Sequence, residues 1–302
     1  MVCCRRAKEG NPYSIGAQAR GRAPTIGYCS QETEGLGPED RLTSKKIVRA
    51  AAVQTRPITT SVKETIFRAV KQAKQAAEKE VNIICLPEHW LPEKTIPSPM
   101  SPLPGLQSIA EEYGVVVVGG AFYEKVKGRI FLNSPVIGRD GEVIGRQPKV
   151  HLFHFEKKVA RPGNDYKIFP VDGFKIGVLV CYDVDFPEAA RILTLRGADL
   201  LMCPSRIVRP GVEPWHQYVT IRSLENRIAV VAPNVYSPPL FTGYSMIVSL
   251  KEDPKMKISH PRMNVFKEQR EGIIVEDIDL GLHARLRKER FADRRPETYV
   301  WN

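Results

Sequence analysis

The chain has 302 residues, 42% hydrophobic and 26% charged, with 45 basic against 34 acidic side chains for a net charge of +11. This is too apolar for a disordered chain and too charged for one that lives in a bilayer, and no window approaches the roughly 18 consecutive apolar residues of a membrane span. The positive excess would indicate a nucleic-acid partner if it were gathered, but its densest run, Arg285 to Arg290 with Arg294 and Arg295 beyond, is broken by acids and aliphatics and reads as a solvated helical face.

Residues 1 to 45 hold six glycines and three prolines and no sustained period of 2 or 3.6, so they are expected to form a flexible extension ahead of one large domain from residue 46 to 302. A strand is expected at 47 to 54, then a helix from Ser61 to about Glu80. Ser61 with Glu64 fits a capping box, and Ile66, Ala69, Val70, Ala73 and Ala77 form a stripe at helical spacing. Val81 to Leu86 completes a strand-helix-strand opening. A second helix near Leu106 to Tyr113 leads to a strand over residues 115–118, and shorter strands at Phe131 to Ile137 and Glu142 to Ile144 are joined by the turn signal Gly138-Arg-Asp-Gly141. Further on come a strand at Phe174 to Val180, a helix at Pro187 to Arg196, a strand at Asp199 to Cys203, a helix at Glu213 to Asn226 and a strand at Ile228 to Ala232. Two last strands, Tyr244 to Leu250 and Gly272 to Ile278, lack crossover helices. Parallel units mixed with hairpins imply an α/β or α+β layered fold, with one mixed sheet or two sheets covered by helices.

Ligand sites of layered α/β folds gather beyond the carboxyl ends of strands. Three such ends carry reactive groups: Glu88 after Val81 to Pro87, Lys149 after the hairpin, and Cys181 after Val180. Cys181 stands at a strand-to-helix turn, where proline at the first helical position and an early acid suit a helix start, and where backbone N–H groups can meet an oxyanion. Read singly, each residue is ordinary: a core cysteine, a solvent-facing glutamate, a surface lysine. The six cysteines, Cys3, Cys4, Cys29, Cys85, Cys181 and Cys203, show no C-x-x-C pair, which argues for reduced thiols and against a zinc site. His151, His154 and Glu156 could suggest metal ligands, but they lack a fourth donor. The amino-terminal residues lack the apolar core of a secretory signal, and a cytoplasmic location is expected.

In that chain order the three residues resemble the glutamate-lysine-cysteine triad of the nitrilase superfamily of carbon-nitrogen hydrolases. The likeness runs from Ile47 to the C-terminus. Ala52-Val53-Gln54 is similar to the family's first-strand motif, Leu86-Pro87-Glu88 to its glutamate motif and Lys149-Val-His-Leu-Phe153 to its lysine motif, which Asn133-Ser134 precedes. Cys181-Tyr-Asp183, Phe186-Pro-Glu188 and Gly197-Ala198 resemble its cysteine motif, and Arg222-Ser-Leu-Glu-Asn226 its later helix motif. The resemblance implies a four-layer αββα sandwich, dimerised into an eight-layered αββα-αββα assembly, with Arg294-Arg-Pro-Glu-Thr-Tyr299 as an interface tail. It implies Glu88 as general base, Cys181 as nucleophile, Lys149 and the Tyr182 backbone N–H as oxyanion stabilisers, and Glu156 as a supporting carboxylate. No metal or organic cofactor is implied.

Three departures bear on the substrate. The proline-rich segment Pro92 to Gly105 is shorter than in most relatives and would form part of the pocket rim. Gln147-Pro148 stands where tyrosine and arginine commonly precede the lysine. Asp185 replaces an arginine common in amidase-like relatives, which disfavours carboxylate substrates and tolerates cationic ones. Cys181-Tyr-Asp183 favours an amide over a nitrile, hydrolysis of an N-carbamoyl compound stays open, and Trp215 and His216 are candidate pocket residues. The substrate expected is therefore a small amide, with a nitrile as the alternative, and the partner a second copy of the chain. A catalytically silent basic scaffold is the contrasting class, and a papain-like hydrolase lacks its cysteine-histidine signature here.

Overall fold

The computed structural model describes residues 46–57, 60–92, 103–171 and 173–299. The expected extension over residues 1 to 45, with Cys3, Cys4 and Cys29, lies outside the described residues, as does most of the proline-rich rim segment, 93–102. Among the described residues no helix is long and apolar enough to cross a membrane.

The chain opens with β1 (Ile47–Gln54), α1 (Val62–Ala77), β2 (Ile83–Cys85), α2 (Leu103–Tyr113), β3 (Val116–Val118), β4 (Phe122–Val126), β5 (Arg129–Ile137) and β6 (Val143–Pro148). After a single helical turn, α3 (Glu156–Val159), it continues with β7 (Ile168–Val171), β8 (Phe174–Val178), a 3-10 turn at Cys181–Asp185, α4 (Pro187–Leu195), β9 (Leu200–Met202), α5 (Val212–Asn226) and β10 (Ala229–Ala232). A short ribbon, β11 (Tyr236–Ser237) with β12 (Phe241–Thr242), precedes β13 (Met246–Asp253), β14 (Ile258–Val265), β15 (Gly272–Asp279) and α6 (Leu280–Ala292).

The long strands form two sheets. One runs β15-β1-β2-β3-β5-β4 with β6 paired to β5, and the other runs β14-β13-β10-β9-β8-β7. Strand β1 shows why they stack: alternate side chains leave opposite faces of a strand. Val48, Ala50 and Ala52 enter the core shared with Ile176, Val178, Leu200 and Val231 of the other sheet. Ala51 and Val53 enter a second core with Ala69, Ala73 and Ala76 of α1 and Leu106 of α2. A third core joins Leu201 and Val230 to Leu193 of α4 and Val219 of α5. The result is the expected αββα sandwich. Alanines on α1 let that helix lie close to its sheet, and Ser61 caps it by accepting from the Glu64 N–H at 3.2 Å.

Five strands were not anticipated: β4, β7, β14 and the two short strands of the ribbon, β11 and β12. In β14 the residues Ile258–Val265 are mostly solvent-facing at a sheet edge, so the backbone ladder to β13 forms without an apolar alternation to mark it. β4 and β7 are equally short of period-2 signal. The basic run at 285–290 belongs to α6, whose N-cap Asp279 accepts from the Leu282 N–H at 3.1 Å, and whose Arg285 and Arg287 pair with Glu252 and Asp199.

Candidate active site

Glu88 leaves the end of β2 between the two sheets. Its N–H donates to Ser205 O beyond β9 at 3.2 Å, and the next residue, His89, donates from its N–H to Ala121 O at 2.7 Å. His89 takes a positive φ of 49° there. Gly120 makes room for this: a Cβ on it, at φ +74°, would lie 2.1 Å from Pro87 O.

Lys149 follows β6, its N–H donating to Leu132 O at 2.8 Å. Gln147 holds this segment through its amide, donating to Pro148 O and Asp165 O and accepting from the Lys167 N–H at 2.8 Å. The lysine side chain is buried, and its Nζ donates to Glu88 Oε1 at 2.7 Å and to Glu156 Oε1 at 2.9 Å. Glu156 is fixed in turn by the Phe153 N–H at 2.7 Å and lies 3.4 Å from His89 Nε2.

Cys181 begins the 3-10 turn with a φ of 50°, a left-handed conformation that a side chain adopts only where the surroundings impose it. Its N–H donates to Pro204 O at 2.8 Å, the Asp183 N–H donates to Val180 O at 3.1 Å, and the Tyr182 N–H lies between these two engaged groups. The thiol engages Glu88 and receives the backbone N–H of Arg206. Asp183 fastens the turn. Its Oδ2 accepts from the Val180 N–H at 3.0 Å, and its Oδ1 accepts from the His151 N–H at 2.8 Å and the Tyr166 hydroxyl at 3.1 Å, with His151 Nδ1 at 2.9 Å.

Burial works against a charge on Lys149, but Glu88, Cys181 and Glu156 outweigh it and hold the ammonium's pKa above the ordinary lysine value. Burial likewise disfavours the Glu156 carboxylate, yet the His89 hydrogen bond and the Lys149 charge keep its pKa below the ordinary one. Burial, and then the negative charge of Glu88, push the Cys181 thiol well up. The resting site is therefore a protonated thiol beside a carboxylate, over a cation shared by two carboxylates. Proton transfer to Glu88 as sulfur attacks is the chemistry this arrangement offers.

Glu88, His89 and Glu156 bring three donor atoms within 4.8 Å of one another, the spacing of a metal site. Lys149 already supplies the cation, since its ammonium bonds both carboxylates. The histidine pattern read from the sequence is dispersed: His151 turns to Asp183, while Glu156 faces Lys149.

These groups open into a cavity of about 410 Å³ that Asp185 and Trp215 also line. Phe153, Tyr218 and Phe241 give it a largely apolar wall. Trp215 is buried with its Nε1–H lacking a hydrogen-bond partner. His216 is not among the lining residues. One residue further round the helix, it faces away and its Nε2 meets Tyr244 O at 2.8 Å. His89 and Arg206 had no role in the sequence analysis, where Asp183 was quoted only as part of a motif. His89 adjoins Glu88, so the same strand-end rule would have reached it.

The family model for carbon-nitrogen hydrolases matches residues 49–288. The chain belongs to the carbon-nitrogen hydrolase family. It is 28% identical to omega-amidase NIT2 of Xenopus tropicalis over 248 residues, 75% of this chain and 87% of that one. It is 34% identical to a probable nitrilase of Schizosaccharomyces pombe over 202 residues, 64% and 71% of the two chains. The carbon-nitrogen hydrolase fold is shared with the Helicobacter pylori enzyme at a TM-score of 0.72 and 22% identity, over 84% of this chain and 97% of that one. An amidase from Nesterenkonia sp. superposes with a TM-score of 0.67 at 23% identity, over 83% and 95%.

Proposed function

We propose that this carbon-nitrogen hydrolase is an amidase acting on a small amide through a thioacyl intermediate on Cys181. The observation that carries the reading is the Lys149 ammonium held between Glu88 and Glu156 next to the Cys181 thiol, in a cavity with an open mouth. Glu88 takes the thiol proton as sulfur adds to the amide carbon. The oxyanion is met by Lys149 and by the Tyr182 N–H, donors fixed before the charge develops. The proton passes from Glu88 to the departing nitrogen, ammonia leaves, and the thioester remains. Water, deprotonated by Glu88, then adds to it, releasing the carboxylic acid and restoring the thiol. Glu156 orients Lys149 and keeps it charged.

The apolar wall suits an acyl group with an aliphatic or aromatic body. Asp185 on the lining favours a neutral or cationic tail over a carboxylate. The similarity to omega-amidases supports the amide reading. The chain acts in this reading as a homodimer in the cytoplasm, where the buried free thiols Cys85, Cys181 and Cys203 stay reduced.

The test is ammonia release from a panel of amides, nitriles and N-carbamoyl compounds by the native protein and by Cys181→Ala, with intact-mass detection of the acyl adduct. Release from amides, lost in the variant, and an adduct on Cys181 are expected. Release from nitriles or carbamoyl compounds alone would replace the substrate class, and a folded protein with neither release nor adduct would mean a binding scaffold.

A further inference from the structure

The charge excess is scattered along the sequence, but the fold gathers part of it. A second cleft, of about 760 Å³, shares no lining residue with the Cys181 cavity. Arg129, Arg146, Arg161 and Lys167 line it, and no carboxylate does among the described residues. Arg146 is engaged by the buried Glu124, its Nε donating to Oε2 at 2.9 Å. Arg129, Arg161 and Lys167 come from three separate stretches of chain whose backbones are pinned. Arg129 opens β5, the Arg161 N–H donates to Ile130 O at 2.8 Å, and the Lys167 N–H donates to the Gln147 side chain at 2.8 Å.

The walls separate this cleft from a merely basic surface. Phe131, Pro148 and Pro162 give it flat apolar walls. Asn133 also lines it, its Nδ2 donating to the buried Glu124 Oε2 at 2.9 Å. The volume lies within the roughly 300–1,000 Å³ of small-molecule sites.

We propose that this cleft is a binding site for a mononucleotide, with its phosphates on Arg129, Arg161 and Lys167 and its planar base against Phe131 and the two prolines. Phosphate is chosen because three cations lining one cleft match a multiply charged group. The flat walls select a ring-bearing ligand over a bare polyanion. The site is independent of the amidase reading, although Gly163 beside it donates its N–H to Lys149 O at 2.8 Å.

Isothermal titration of the full chain with ATP and with inorganic tripolyphosphate tests the proposal. Saturable one-to-one ATP binding is expected, tighter than tripolyphosphate and weakening as salt rises. Arg129→Ala/Arg161→Ala removes two exposed charges, and ATP affinity should fall by about tenfold or more. Lys63→Ala/Lys71→Ala removes the same charge from exposed positions on α1 and should leave affinity within about twofold. An unchanged urea midpoint shows that the arginine variant is folded. Absence of saturable ATP binding, or equal losses in the two double variants, would overturn the site and leave only diffuse attraction to a basic surface. Equal affinity for tripolyphosphate and ATP would overturn the base seat and with it the mononucleotide.

Discussion

Asp183 is the residue whose replacement tests most directly how this site is held together. Its carboxylate is fully buried and accepts from the Val180 N–H on one oxygen and from the His151 N–H and the Tyr166 hydroxyl on the other. Val180 immediately precedes the nucleophile, and His151 stands two residues after Lys149, so this one side chain ties the two catalytic segments. In Asp183→Asn only one oxygen remains. With the amide nitrogen turned toward Val180, that N–H loses its acceptor and faces another donor, at a cost of about 1–3 kcal/mol. The remaining bonds become neutral and weaken by about 1 kcal/mol each, offset in part by the buried charge that is no longer there. A net loss of about 2–4 kcal/mol is expected, read as a lower urea midpoint at unchanged slope. Displacement of the thiol from Lys149 by a fraction of an ångström should lower kcat on a competent amide by about 10–100-fold with a smaller change in KM. A variant with the native midpoint and native kcat would refute the view that Asp183 positions the nucleophile.

Three other outcomes follow from the geometry. The buried His283 ring is bracketed by two backbone groups, Nδ1 at 2.8 Å from Asp279 O and Nε2 accepting from the Leu250 N–H at 3.1 Å, which requires the neutral tautomer with its proton on Nδ1. Burial holds its pKa below the ordinary 6.5, so its contribution to stability is intact above 6.5 and is lost as pH falls from there through the lower folded value. The urea midpoint should therefore drop on acidification, less steeply in His283→Gln, and equal slopes would count against this. Gly120→Ala places a Cβ 2.1 Å from Pro87 O at a φ of +74° and should cost about 3 kcal/mol or more, visible as a loss of soluble protein or of the unfolding midpoint. Arg206 sits with its guanidinium 4.5 Å from the Phe241 ring, so Arg206→Gln should loosen the ribbon side of the cavity and raise KM by about 3–10-fold. Its backbone N–H survives the substitution, so kcat should hold, and a comparable fall in kcat would show that the side chain itself serves the thiol.

The layers of the fold were legible where one strand face or helix stripe is apolar. β1 ends where its apolar run gives way to Gln54, and α1 begins at its capping serine, because burial and local hydrogen bonds there favour the same residues. The edge strand β14 escaped notice for the converse reason: pairing with β13 satisfies its backbone, and few of its side chains need burial. Helix α6 was visible only as a charged run, since the partners that make it a packed helix, Glu252 and Asp199, lie elsewhere in the sequence.

The site divides in the same way. Glu88, Lys149 and Cys181 could be singled out because a reactive side chain at the end of an apolar run is a property of the sequence, and the fold then brings those strand ends together. His216 shows the limit of adjacency. It neighbours Trp215 in sequence, but a step of about 100° around the helix carries its ring out of the cavity. The donors around the thiol lie further out of reach, because every residue but proline owns a backbone N–H and no spacing marks the one that will point at sulfur. The Arg206 N–H reaches Cys181 only because β9 lies beside β8, so the strand ends that carry the two residues meet. What steadies the nucleophile is thus a consequence of sheet order, and a substitution that shifts β9 along β8 should disturb the thiol as surely as one that removes Glu88.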